Sequence, residues 1–149
     1  MILIVDASVA CKWYLHEEGS NLAMALLKSG PEVIAPDLIF AEAGNVLYKH
    51  LLDGTFPPDR IPQVAAHLRR TLREVVPSLD LFSSAVELAA ALRHPIYDCF
   101  YLALAQREKA PLITADQRLL NKLKNQDWGG RALSLQEWSA MDGPPKLPI

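Results

Sequence analysis

Five short, largely apolar runs punctuate the chain, and stretches long enough for helices separate them. The first, Ile2-Leu-Ile-Val5, is apolar at every position and is closed at once by Asp6. A strand with one wet face alternates apolar and polar residues, whereas a strand without alternation is buried on both faces. Further strands are predicted over 32–35, 75–76, 111–114 and 132–134. Buried strands that alternate with helices specify a parallel sheet, because each parallel connection needs a crossover and a helix supplies it. The expected architecture is α/β, a three-layer sandwich with a central, mostly parallel five-stranded sheet flanked by helices.

Helical periodicity and punctuation fill the gaps between the strands. Helices are predicted over 8–16, then 21–28 behind a Ser20 cap, then from Pro36-Asp37 to about 52, where Asp53-Gly54 stops the run. Others are predicted over 59–74, 81–93, 97–108 and 117–124, with a short one from 136. No repeat, low-complexity segment or interior linker divides the chain. Residues 1–140 are read as one domain and 141–149 as a proline-rich C-terminal tail.

Composition narrows the function. With 149 residues, half of them hydrophobic, the chain can bury one core. Its formal charge of −2 argues against a general duplex binder, which is usually strongly basic; any contact with nucleic acid must be local. Cys11 and Cys99 form neither a C-x-x-C pair nor a zinc spacing with histidine, so they read as buried free thiols. No leader or membrane-length apolar run is visible, and a cytoplasmic location with no membrane contact is expected.

Four acids carry the functional argument. Asp6 follows the first strand, Asp116 lies two residues beyond Leu112-Ile-Thr114, Glu42 is in the helix after the second strand, and Asp98 opens a helix. In open parallel sheets, ligands bind beyond the carboxyl ends of the strands, so residues distant in sequence can converge there. Each acid also has an ordinary reading: Asp6 and Asp116 as helix caps, Glu42 as a surface charge, Asp98 as a partner of the helix dipole. Asp98 is the most telling, because Tyr97-Asp-Cys-Phe-Tyr-Leu-Ala-Leu-Ala105 is apolar on every side. A carboxylate in such a helix calls for a partner. Four converging acids would repel one another unless protonated or neutralised by a cation. With oxygen ligands only, the set suits Mg²⁺ or Mn²⁺ rather than zinc, and the matching chemistry is phosphodiester hydrolysis. Asp6 and Asp98 are the first candidates for direct contact, and the sequence leaves open whether Glu42 and Asp116 bind the ion directly or through water. Ser8 and Thr114 are candidate supporting hydroxyls, and Asn45 shares a helical face with Glu42.

The segments Val5-Asp6-Ala-Ser8-Val9, Glu42-Ala-Gly-Asn45-Val-Leu47, Tyr97-Asp98 through Ala105, and Leu112-Ile-Thr114-Ala-Asp116 resemble the signatures of PIN domains. Their order and spacing are similar to those of VapC-type toxins of toxin–antitoxin pairs, over about residues 1–138. The resemblance implies a PIN-like (Rossmann-like) fold, an acidic Mg²⁺/Mn²⁺ site at Asp6, Glu42, Asp98 and Asp116, and endoribonuclease activity on an RNA substrate. It also implies a homodimer and inhibition by a small cognate antitoxin. Two other readings stay open: a non-catalytic PIN-like binding module, and another acidic-site phosphoryl-transfer enzyme. An aspartyl-phosphate phosphatase would want D-x-D after the first strand, where Ser8 stands instead. A dinucleotide binder would want G-x-G-x-x-G after a strand, which is absent.

The remaining polar residues read as ordinary. Arg69, Arg70 and Arg73 suggest a solvated helix face, with an RNA-backbone contact as the alternative. His16, His50, His67 and His94 read as surface or loop residues. Trp13 and Tyr14 read as core or interface anchors.

Overall fold

The computed structural model describes residues 1–141. Five parallel strands form one sheet: β1 (Ile2–Val5), β2 (Glu32–Pro36), β3 (Leu72–Val76), β4 (Leu112–Ile113) and β5 (Ala132–Leu133), in the order β3-β2-β1-β4-β5. The expectation of a mostly parallel sheet is met by a wholly parallel one. Eight helices connect and follow the strands: α1 (Ala7–Ala10), α2 (Ser20–Lys28), α3 (Leu38–Leu52), α4 (Ile61–Thr71), α5 (Ser78–Leu92), α6 (Ile96–Glu108), α7 (Gln117–Leu123) and α8 (Leu135–Ala140). The chain moves outward in one direction from β1 to β3, then returns past β1 to β4 and β5. Right-handed crossovers therefore put the two sets of connecting helices on opposite faces.

The central strand lies where the order reverses, and Leu3, Ile4 and Val5 are wholly buried there. Helix α6 packs across β1, β2 and β4 and buries Tyr101 through Ala105 as a block, which explains its apolar character on all sides. A fully buried leucine such as Leu102 or Leu104 contributes roughly 1.5–3 kcal/mol relative to exposure. The structure thus holds α6 against the middle of the sheet.

Most boundaries shift by one to three residues, and two elements change in kind from the sequence reading. The helix expected over 59–74 ends at Thr71, and Leu72–Val76 is strand β3. Leu72 and Val75 pair with Val33 and Ala35 of β2, and the register shifts between Val33 and Ile34. Leu-Arg-Glu has good helical propensity, but the sheet edge of β2 offers a full ladder that outweighs it. Arg73 therefore sits on a strand, paired with Glu32 at 2.5 Å, and does not belong to a helical basic cluster. The helix expected over 8–16 is one α turn, α1, followed by a 3₁₀ turn at Cys11–Trp13. The proline-rich tail expected from 141 lies, apart from Met141, outside the described residues.

Candidate active site

The carboxyl end of β1 is followed directly by Asp6, whose backbone is extended and whose side chain caps α1 by accepting from the Val9 N–H at 3.2 Å. The same oxygen, Oδ1, accepts from the Ser8 hydroxyl at 2.5 Å, and Oδ2 accepts from the Thr114 hydroxyl. Thr114 follows β4, the neighbour of β1, so the hydroxyl bridges the two strand ends. Asp116, two residues on, caps α7: its Oδ1 accepts from the N–H groups of Arg118 (3.0 Å) and Leu119 (3.1 Å). Its own N–H donates to Thr114 Oγ1 at 3.0 Å, and Ser8 Oγ accepts from the Ala115 N–H at 3.0 Å. Asp6 and Asp116 thus both cap helices and line the candidate site, so capping does not remove either from the cleft.

From α3 comes Glu42, whose Oε1 accepts from the Tyr101 hydroxyl at 2.7 Å. From the first turn of α6 comes Asp98, whose Oδ2 accepts from His94 Nε2 at 2.6 Å. Asp6, Glu42, Asp98 and Asp116 line one cleft of about 250 Å³, together with Ser8, Asn45, Val46 and Tyr101. Four acids from four separate segments are brought together beside the junction of β1 and β4, where the strand order reverses and ligands are expected. Thr114 is wholly buried beneath Asp6 and acts from behind it. Asn45 is on the cleft wall, exposed, and its side chain has no hydrogen-bond partner among the described residues.

The electrostatics are those of buried carboxyls. Asp6 is 7% exposed, and burial pushes its carboxyl up to about 6, against the lowering effect of the Ser8 and Thr114 hydroxyls and the Val9 N–H. Burial also raises Glu42, the Tyr101 hydroxyl opposes that, and the negative charge of Asp98 pushes both Asp6 and Glu42 further up. No lysine or arginine pairs with any of the four among the described residues.

Two residues at the site escaped the sequence reading. His94, read as a surface or loop residue, has a side chain only 10% exposed and is bound to Asp98. Tyr101, read as part of an apolar helix, is 1% exposed with its hydroxyl on Glu42. The signal for Tyr101 was its place three residues after Asp98, on the same helical face. Asp98 itself is less enclosed than its helix suggested: its side chain is 26% exposed at the cleft, and its partner is a histidine.

The donor set fits a hard divalent cation. All four candidates are carboxylates, and Asp6 is held where its ionised form lacks compensation from any cationic side chain. Among the described residues no three His, Cys, Asp or Glu side chains stand as a ready ligand cluster. Mg²⁺ typically takes one or two carboxylates and fills the remaining positions with water and phosphate oxygens.

Comparison with known proteins places the fold. The PIN domain family matches residues 3–125. Ribonuclease VapC3 of Pyrobaculum aerophilum is 34% identical over 128 residues, covering 82% of this chain and 95% of that protein. The crystal structure of PAE2754 from the same organism superposes with a TM-score of 0.66 at 21% identity, over 89% of this chain and 83% of that one. VapBC2 from Rickettsia felis, solved bound to a DNA fragment from its promoter, gives 0.64 at 13% identity, over 90% of this chain and 98% of that one. A toxin–antitoxin complex from Klebsiella pneumoniae gives 0.63 at 14% identity, over 89% and 97%. The chain belongs to the PIN-domain family, in the group of the VapC ribonucleases.

Proposed function

We propose that the protein is a divalent-metal-dependent endoribonuclease that uses Mg²⁺ or Mn²⁺ and acts as the toxin of a toxin–antitoxin pair. The observation that carries this reading is the cleft in which Asp6, Glu42, Asp98 and Asp116 meet with no cationic side chain among them. The 34% identical relative is named a ribonuclease, and two structural relatives are toxin–antitoxin assemblies, which supports both parts of the reading. Asp6 and Asp98 would hold the ion most directly, with Glu42 and Asp116 placed to act through water. When bound, such an ion supplies Lewis-acid assistance to phosphodiester hydrolysis. The chain's own groups do the rest. Ser8 and Thr114 fix the Asp6 carboxylate from both sides, and Tyr101 fixes Glu42. Glu42, with its raised affinity for protons, is suited to take a proton from attacking water. Asn45, on the wall of the cleft, offers an amide to the RNA backbone.

A homodimer and an antitoxin complete the reading. Phe40, Tyr48 and Leu52 stand exposed at four- and eight-residue spacing on α3, and Leu79, Phe82 and Val86 are exposed on α5. The two helix starts are tied where Asp37 Oδ1 accepts from the Ser78 N–H at 3.1 Å. Apolar surface of this kind on a small protein marks an interface. No helix among the described residues is long and apolar enough to cross a membrane.

The test is cleavage of RNA by the purified protein with Mg²⁺ or Mn²⁺, with and without EDTA. Wild type should cut and EDTA should stop it, while Asp6→Asn and Asp98→Asn should be inactive with folds intact by circular dichroism. Equal cleavage by both variants would reject the site. Expression should also arrest growth, and co-expression with a small neighbouring gene product should relieve it.

A further inference from the structure

We propose that His94 is a positioning residue for Asp98, holding one carboxylate oxygen so that the other is presented to a divalent cation in the cleft. The inference rests on the metal-dependent reading of the site and extends it to a residue outside the four acids. His94 Nε2–H donates to Asp98 Oδ2 at 2.6 Å, and Oδ1 of Asp98 has no protein partner among the described residues. A carboxylate in the first turn of a helix, a quarter exposed, otherwise has open rotamers; a donor on one oxygen selects among them.

The histidine is itself held. Arg93 ends α5 in the left-handed region (φ 51°), and the His94 N–H reaches back to the Ala89 carbonyl at 3.2 Å. Lys122 of α7 donates to the Arg93 carbonyl at 2.6 Å, tying this turn to the helix that Asp116 caps. Pro95 follows and α6 starts at the next residue, so His94 stands four positions before Asp98, across the start of the helix. The imidazole is nearly buried while its neighbour Arg93 faces solvent. Placement of Asp98 has consequences for the whole cleft, since its charge acts on both Asp6 and Glu42.

Outer partners that orient metal-binding groups typically change metal affinity or activity by about 10–100-fold when removed. The test is Mn²⁺ binding by titration calorimetry on the full chain, alongside thermal melting and RNA cleavage. Wild type, Asp98→Asn, His94→Leu, His94→Gln and His94→Asn are compared. The glutamine amide reaches about as far as the imidazole Nε2 and should keep Mn²⁺ affinity within a few-fold of wild type. His94→Leu, and the too-short His94→Asn, should bind Mn²⁺ about 10–100-fold more weakly with melting temperatures close to wild type. Wild-type affinity in His94→Leu overturns the proposal. Should His94→Leu fail to fold, the Gln and Asn pair decides, and equal affinity in those two overturns it. A fall in melting temperature without loss of Mn²⁺ affinity would mark a structural role only and would equally reject it. Failure of the underlying reading looks different: Asp98→Asn would then bind Mn²⁺ as well as wild type, or wild type would not bind it.

Discussion

The Thr114 hydroxyl donates to Oδ2 of Asp6 across 108 positions of sequence, at the junction of the two central strands. That single contact ties the ends of β1 and β4 together under the cleft. It also satisfies a carboxylate that is almost wholly buried, and it leaves Thr114 Oγ1 to accept the Asp116 N–H. One threonine thus serves two of the four acids.

Replacing Thr114 with valine keeps the shape and removes both contacts. The Asp6 carboxylate loses a donor and the Asp116 N–H loses its acceptor, so a destabilisation of about 1–3 kcal/mol is expected at neutral pH. Urea unfolding would read it, and Thr114→Ser should recover most of the loss because the hydroxyl remains. A valine variant as stable as wild type would show that water replaces both partners.

The buried Asp6 carboxyl makes stability depend on pH in a defined direction. Its pKa stands at about 6 against an ordinary value of 3.8, and burial is the main cause. The folded state therefore holds the proton more tightly than the unfolded chain. The stability from that proton is complete below about pH 3.8 and is lost as pH rises through about 6. The loss is at most about 3 kcal/mol, at 1.36 kcal/mol per unit. In EDTA, Asp6→Asn should consequently be more stable than wild type at pH 7, with the gap closing towards pH 4. Melting both proteins across that range is the measurement, and a pH-independent gap would contradict the origin assigned here.

Tyr101→Phe removes the hydroxyl that lowers the pKa of Glu42. Burial then acts on Glu42 unopposed by that bond, and its pKa rises further. Glu42 would need a higher pH to ionise, so the acid limb of the cleavage rate should move to more alkaline pH. Stability should fall by only about 1 kcal/mol, the usual net value of one hydrogen bond. A rate profile superimposable on wild type would mean that Glu42 ionisation does not limit cleavage.

Gly44 interrupts the exposed stripe of α3 between Phe40 and Tyr48, and a methyl group there would meet nothing within 4 Å in the single chain. Gly44→Ala should therefore stabilise the isolated chain by about 0.5–1 kcal/mol through helix propensity. If two copies pack along this stripe, the same methyl intrudes on the contact. Light scattering should then show a weaker dimer at a higher melting temperature for the dilute monomer. A dimer unaffected by the change would place the interface elsewhere.

The β-prone runs, their lack of alternation and the helical stretches between them determined a parallel α/β sandwich, because local periodicity decides which faces must be buried. The four acids were legible for the same reason: each stands at a fixed distance from a strand end or helix start that the pattern marks. The point at which α4 gives way to β3 was not legible, since only the ladder offered by β2 turns Leu72–Val76 into a strand. The Ser8 and Thr114 hydroxyls expected beside the acids do hold Asp6, but the partners of Glu42 and Asp98 were not legible. His94 and Tyr101 look like a turn histidine and a core aromatic in sequence, and their hydrogen bonds depend on side-chain direction and on which elements the core presses together. In sequence, an apolar helix gives the Asp98 carboxylate no partner of its own. The tertiary structure decided otherwise on one point: the carboxylate is partly exposed and already held by His94. Convergence of Asp6, Glu42, Asp98 and Asp116 on one cleft follows from strand order, and strand order is set by long-range packing that no local pattern encodes.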